Sequence, residues 1–352
     1  MTDLEKMNIL TFGAGAIGTY IGGSLALAGN RVVFLEQAQA AKELAGRGLR
    51  LDLTINRGAT FAIQDSSLTF TSSIEKALDQ GSFDVVIFAL KSYDTAAALD
   101  AIRPYATQLP PFLCLSNGVD NEAALAAVLG VQKVIAGTVT SSVGRHAAGD
   151  IVLERQRGVG IADGHPLSLF LAEAFQAVGL KTRLFRRPQD MKWSKMLTNL
   201  PANATSAILD MTAAEVFSHP GLFQLEMRML RETLAVMRAN HLRPVNLPGV
   251  PVRALALGTS LPDVVARPLM LKAVGGGRGD KMPSFHIDLH SGRGKSEVEW
   301  LNGAVSRYGM RVGVATPVNQ MLFVTLLALT SGKIPIGEFS HQPQKLLSLL
   351  SG

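Results

Sequence analysis

Apolar residues follow two rhythms along this chain. In the first half, short runs without alternation are separated by segments of helical spacing: Asn8–Phe12 predicts a strand, Ile17–Ala28 a small-residue helix and Arg31–Leu35 a second strand. Asp84–Leu90, Phe112–Ser116 and Lys133–Thr138 continue the strands, with helices at Thr95–Ile102 and Glu122–Val128 between them. Strands apolar on both faces and alternating with helices predict a parallel sheet covered on both sides. Leu167–Val178 and Lys181–Phe185 add a helix and a last strand. Beyond Pro188 the rhythm is helical, at Met191–Leu200, Ala213–Val216, Leu222–Asn240, Leu269–Val274, Ser296–Tyr308 and Val318–Thr330. The fold class expected is therefore α/β, with a sheet domain over 1–187 and an all-helical domain over 188–352. Within the second, Leu242–Pro268 carries five prolines and predicts an irregular excursion or short helices.

Length agrees with two domains, since 352 residues exceed the usual single core. With 47% hydrophobic and 18% charged residues, extensive disorder is excluded. The single cysteine, Cys114, excludes a disulfide framework and a multi-cysteine zinc site, and a reducing cytoplasm fits best; no metal is among the expected ligands. Lys and Arg number 34 against 28 Asp and Glu, a net +6, but they are scattered, and four Tyr and two Trp offer little base stacking. The charge reads as a bias toward anionic ligands rather than nucleic acid. Ile9–Asn30 holds no charged residue, yet its repeated glycines and the acidic Asp3 and Glu5 before it argue against a signal peptide or a membrane span.

Gly13-Ala14-Gly15-Ala16-Ile17-Gly18 is a GxGxxG lying directly after a strand and opening a helix. There the first glycine permits the turn, the second lets backbone amides approach a pyrophosphate, and the third lets helix and strand pack closely, which points to a Rossmann-type dinucleotide-binding domain. Glu36 ends the second strand. A carboxylate at that place accepts hydrogen bonds from both ribose hydroxyls and repels the extra phosphate of NADP, unless it is merely a solvated loop residue. Arg31, Arg47 and Arg50 remain candidates for reaching a phosphate. Lys91 and Asn117 each follow a strand at the carboxyl end of the sheet, where ligands bind; either can instead cap a helix or form a turn.

Lys195, Asn199 and Asn203 recur at i, i+4 and i+8, which puts three polar groups on one helical face, with Pro201 predicting a kink. Asparagine is a poor helix former, so two spaced copies ask for a reason, although a plain surface stripe also fits. Downstream stand Ser284 and Asp288, then a helix start in which Ser296 serves as cap and Glu297 and Glu299 favour the dipole.

With these residues in view, the chain resembles the ketopantoate reductase (2-dehydropantoate 2-reductase) family. The marks are GAGAIG, LKSYD at Lys91, SNGV at Asn117, WSKMLTNLPANATSA around Lys195, PSFHIDL at Ser284, KSEVEWLNG at Glu297 and TPVN at Thr316–Asn319, in family order over nearly the whole chain. The resemblance implies a Rossmann-type domain joined to a helical domain, and reduction of ketopantoate to D-pantoate, usually with NADPH, on the route to pantothenate and coenzyme A. Carried over residue by residue, it implies Lys195 as proton donor and Asn199, Asn203 and Ser284 as substrate contacts. It further implies Asn117 at both nicotinamide and substrate, Lys91 at the cofactor, and Glu297 beside cofactor and substrate hydroxyl. The partners it implies are a small 2-keto acid and a dinucleotide, with a homodimer allowed, and neither nucleic acid nor membrane.

Several positions depart from the family pattern. Glu36 stands where a basic residue commonly meets the 2′-phosphate, which keeps NADH open. Pro201 precedes Asn203 rather than following it. Ala213 replaces an asparagine that some members use, and Arg243–Met282 is long. The alternatives are an NAD-dependent dehydrogenase of another 2-hydroxy acid, mandelate-like or branched, and a nucleotide-binding sensor without catalysis.

Overall fold

The computed structural model describes residues 6–272 and 282–350. Asp3 and Glu5 lie outside the described residues, as do positions 273 and 274 of the helix expected at Leu269–Val274. The chain divides into two units, one of Met1–Ser116, Asp120–Lys192 and Leu247–Val250, the other of Asn117–Val119, Trp193–Asn246 and Pro251–Gly352.

Among the described residues, the first unit holds twelve strands: β1 (Asn8–Phe12), β2 (Arg31–Leu35), β3 (Leu49–Asp52), β4 (Thr60–Ile63), β5 (Leu68–Thr71), β6 (Val85–Phe88), β7 (Phe112–Cys114), β8 (Val134–Val139), β9 (Ser142–Ala147), β10 (Asp150–Arg155), β11 (Val159–Ala162) and β12 (Thr182–Phe185). Eight form one sheet in the order β12-β11-β8-β7-β6-β1-β2-β5. Its centre is parallel, and β6 is buried at every position, as unalternating apolar runs require. The sheet departs from parallel at β11, which was not expected as a strand and runs antiparallel to β8. The chain between them makes the β9–β10 hairpin in place of a crossover helix, and without a crossover the strand returns in the opposite sense.

The remaining strands form a second sheet, β4-β3-β10-β9. The helix α1 (Ala16–Ala26) packs against both sheets, and this is why the segment is uncharged and rich in glycine. A Cβ on Gly22 would come within 2.7 Å of Phe34 in β2, and one on Gly23 within 2.8 Å of Leu51 in β3. Nine of its residues, Gly18 to Ala26, are buried. Among the described residues, no helix is long and apolar enough to cross a membrane.

The second unit is helical. Its main elements are the end of α2 (Pro188–Asn199), then α3 (Asn203–Leu209), α4 (Pro220–Ala239), α5 (Ser284–His290) and α6 (Pro317–Thr330). The proline-rich stretch contains the short helices Val252–Gly258 and Asp263–Met270; the latter starts before the expected Leu269 and includes Pro268. The single helix expected at Ser296–Tyr308 is two, a 3-10 turn at Glu297–Trp300 and an α-helix at Asn302–Arg311, parted where Leu301 takes φ −111 and ψ −87.

The third glycine of the loop is the most constrained, because a Cβ on Gly18 would lie 1.9 Å from the Gly13 carbonyl oxygen. At Gly15 nothing stands within 4 Å and φ is −71. Gly18→Ala should therefore cost more than the ~1–3 kcal/mol typical of overpacking, because backbone must move. Gly15→Ala should stay within about 1 kcal/mol, the size of an N-cap preference. Urea unfolding of the two variants side by side checks the contrast; equal loss in both would contradict it.

Candidate active site

In the first unit the glycine loop is held from three directions. Gly13 N donates to Leu35 O at 3.0 Å, and the Ala14 carbonyl accepts from Thr19 Oγ1 at 3.0 Å and from Gly149 N at 2.9 Å. Gly149 sits in the β9–β10 turn, so the second sheet braces the loop. Glu36 comes to the same place: its Oε1 accepts from Ala14 N at 2.5 Å and its Oε2 from Gln37 N at 3.1 Å. No side chain caps α1, and a Cβ at Gly15 would project into open space. Ala16 and Ile17, half-buried, open the helix at the positive end of its dipole, so backbone amides and an uncrowded glycine together form a cradle that fits a pyrophosphate.

The three arginines that were candidates for reaching a phosphate are engaged elsewhere. Arg31 begins β2, at the opposite end of the strand from Glu36, and donates to Gln80 O at 2.7 Å. Arg47 donates to Ala148 O, and Arg50 pairs with Asp150 at 3.1 Å. Lys91, half-buried, follows β6 and precedes a 3-10 turn at Ser92–Asp94.

In the second unit, hydrogen bonds connect four of the expected site residues. Asn199 Nδ2 donates to Asn117 Oδ1 at 3.2 Å, and Asn203 Nδ2 donates to the Asn199 carbonyl at 3.0 Å and to Ser284 Oγ at 3.2 Å. Asn203 Oδ1 accepts from Phe285 N at 3.0 Å. Asn203 is thus buried and has both amide hydrogens engaged, whereas Ser284 is exposed and Lys195 and Asn199 are half-buried. Glu297 is 2% exposed and begins the 3-10 turn that Ser296 caps, its Oγ accepting from Val298 N at 3.2 Å.

The expectation of one helical face through Lys195, Asn199 and Asn203 is corrected here. α2 stops at Asn199, and Asn203 begins α3. Pro201 has no N–H to continue the ladder, and Ala202 turns left-handed at φ 56. Glu226 of α4, fully buried, holds the break: Oε2 accepts from Ala202 N at 2.7 Å and Oε1 from Thr205 Oγ1 at 2.5 Å.

Other supporting groups also escaped the sequence reading. Lys192, 2% exposed, pairs with Glu122 at 2.7 Å and donates to Ser116 O at 2.6 Å and Gly137 O at 3.2 Å, tying the ends of β7 and β8. Burial, with the Glu122 charge adding to it, pushes the Cys114 thiol far above its ordinary range, so it is inert. Glu232 accepts from Val318 N at 2.9 Å and Asn319 N at 3.0 Å at the start of α6; burial raises its carboxyl above the usual range while these bonds oppose the rise. Asn319 in turn accepts from Asn302 Nδ2 at 3.1 Å, which joins the KSEVEWLNG and TPVN stretches. Periodicity marks none of these groups, since each partner is remote in sequence.

Comparison with known proteins agrees along the chain. Residues 9–165 match the family model "Ketopantoate reductase PanE/ApbA" and residues 188–330 its C-terminal counterpart. A 2-dehydropantoate 2-reductase of Halobacterium salinarum is 29% identical over 326 residues, 90% of this chain and 96% of its own. The crystal structure of a PanE/ApbA family ketopantoate reductase from Ralstonia eutropha JMP134 superposes with a TM-score of 0.77 at 25% identity, covering 93% of this chain and 99% of that one. A D-mandelate dehydrogenase solved with NADH and anilino(oxo)acetate has the same fold, with TM-score 0.73 at 20% identity over 93% of this chain and 99% of that one.

Replacing Glu226 by Ala strands two buried donors, the Ala202 N–H and the Thr205 hydroxyl, at about 1–3 kcal/mol each. Chemical denaturation should show that loss, with Glu226→Gln milder because one acceptor oxygen remains. An alanine variant as stable as the parent would mean that another group holds the break.

Proposed function

The chain belongs to the ketopantoate reductase family, and on that premise we propose that it is a 2-dehydropantoate 2-reductase, reducing the 2-keto group of ketopantoate to D-pantoate. The observation that carries the proposal is the hydrogen-bonded series Asn117, Asn199, Asn203 and Ser284 beside the helix turn that bears Lys195. A product of this kind would feed pantothenate and coenzyme A synthesis.

Lys195 is the proton donor. Hydride arriving at a keto carbon builds charge on the oxygen; a positioned ammonium stabilises that charge and then neutralises it by proton transfer. Asn199 and Asn117 offer amide groups to the substrate's oxygens, and the exposed Ser284 hydroxyl suits its carboxylate. Asn203 has a narrower part: with its amide hydrogens on the Asn199 backbone carbonyl and the Ser284 hydroxyl, it orients the serine and meets substrate only by exchanging that bond.

The reduced nicotinamide supplies the hydride when bound. The segment Gly13, Ala14, Gly15, Ala16, Ile17 and Gly18 would take its pyrophosphate, and Lys91, Asn117 and Glu297 would complete the cofactor contacts. Glu36 favours NADH over NADPH, since a carboxylate already at the loop accepts ribose hydroxyls and repels a 2′-phosphate. This feature, together with an apolar Ala213 that is 1% exposed, also supports a second reading, an NAD-dependent dehydrogenase of another 2-hydroxy acid such as a mandelate-like one.

Steady-state reduction of ketopantoate with NADH and NADPH in parallel tests both readings. The expected outcome is turnover with NADH at least as efficient as with NADPH, and a ratio that moves toward NADPH in Glu36→Gln. A strong NADPH preference in the parent overturns the cofactor assignment, and turnover of aryl or branched 2-keto acids without ketopantoate turnover selects the second reading. Lys195→Ala should lose about 100-fold or more in kcat, the range of general acid catalysis. Near-normal turnover would remove Lys195 from its role.

A further inference from the structure

We propose that the second unit carries a binding site for a divalent transition metal of the zinc class, formed by Asp210, His286 and His290, separate from the reductase chemistry. His286 and His290 are at i and i+4 on α5, the spacing that brings two imidazoles to one helical face, and their ring centroids are 4.2 Å apart. Asp210 follows α3, and its Oδ1 lies 2.7 Å from His286 Nε2. One ligand atom from each of the three lies within 4.8 Å of the others, the one such convergence among the described residues.

The chemistry of the donors narrows the ligand. Two imidazole nitrogens and one carboxylate oxygen suit zinc, cobalt, nickel or copper, whereas magnesium and calcium demand mostly oxygen. The lone buried cysteine excludes a thiolate site but has no bearing on this donor set. With metal–ligand bonds of about 2.0–2.2 Å, tetrahedral partners stand about 3.4 Å apart, so small side-chain rotations suffice, and water can fill the fourth position.

The carboxylate is presented by constrained backbone. Asp210 is left-handed at φ 53, as is His341 at φ 51, whose N–H donates to Leu209 O at 2.7 Å. A cation would take the place of the direct His286–Asp210 contact. α3 is already joined to α5 through Asn203 near its first turn, and a metal would join them at its other end.

The test uses the untagged full chain, metal-stripped and titrated with Zn2+ by calorimetry, then with Co2+ as an absorbing probe. A single equivalent of Zn2+ should bind, raise the melting temperature and, for Co2+, give visible bands of a low-coordinate nitrogen–oxygen site. His286→Ala and His290→Ala should each weaken binding by at least the about 10–100-fold that loss of an outer-shell partner costs. The melting temperature without metal shows that each variant is folded, and His290→Gln provides a second test with little loss of bulk. Undiminished binding in folded variants, or no uptake by the parent from excess Zn2+, overturns the proposal. Neither result depends on reductase activity.

Discussion

The grip of Glu226 on the amide of Ala202 is the contact on which the helical unit's polar cluster depends. A left-handed alanine is costly, and a buried carboxylate is costlier still unless it is hydrogen-bonded. Each offsets the other: the carboxylate finds its donors in the broken turn, and the break is kept open by the carboxylate. Because α2 ends there and α3 begins there, Asn199 and Asn203 face one another across a turn instead of standing on one uninterrupted helix. That geometry lets Asn203 reach both the Asn199 carbonyl and the Ser284 hydroxyl.

α3 is bounded by two non-glycine residues in left-handed conformation, Ala202 before it and Asp210 after it. Strain of that kind persists only where surrounding contacts over-determine it, and it gathers where side chains must be aimed. One end aims an asparagine at the polar cluster; the other aims a carboxylate at two imidazoles. A helix this short contributes little stability of its own, so its ends are the points at which the neighbouring helices hold it.

Local features were legible in the sequence and remote ones were not. β1, β2 and the helix at Thr95–Ile102 could be read to the residue because apolar runs and spacing act over a few positions. The glycine loop was readable because strand, turn and helix lie together in sequence. The four-stranded sheet left no comparable trace: its strands are short, and β3 pairs with β10 from about a hundred residues away, as Arg50 does with Asp150. Pro201 announced a disturbance, but its depth depends on Glu226, 24 positions beyond Ala202. Lys192 reads as one more charge in an amphipathic helix until its three partners are seen.

The carbonyl of Ala14 receives one donor from its own helix and one from the turn of the other sheet. The two sheets of the first unit thus share an acceptor, and the glycine-bearing faces of α1 leave no slack between them. If the four-stranded sheet peeled away alone, it would break the Gly149–Ala14 hydrogen bond and bare the surface over Gly23. Folding of this unit is therefore cooperative across both sheets, and the small sheet is no detachable ornament on the larger one.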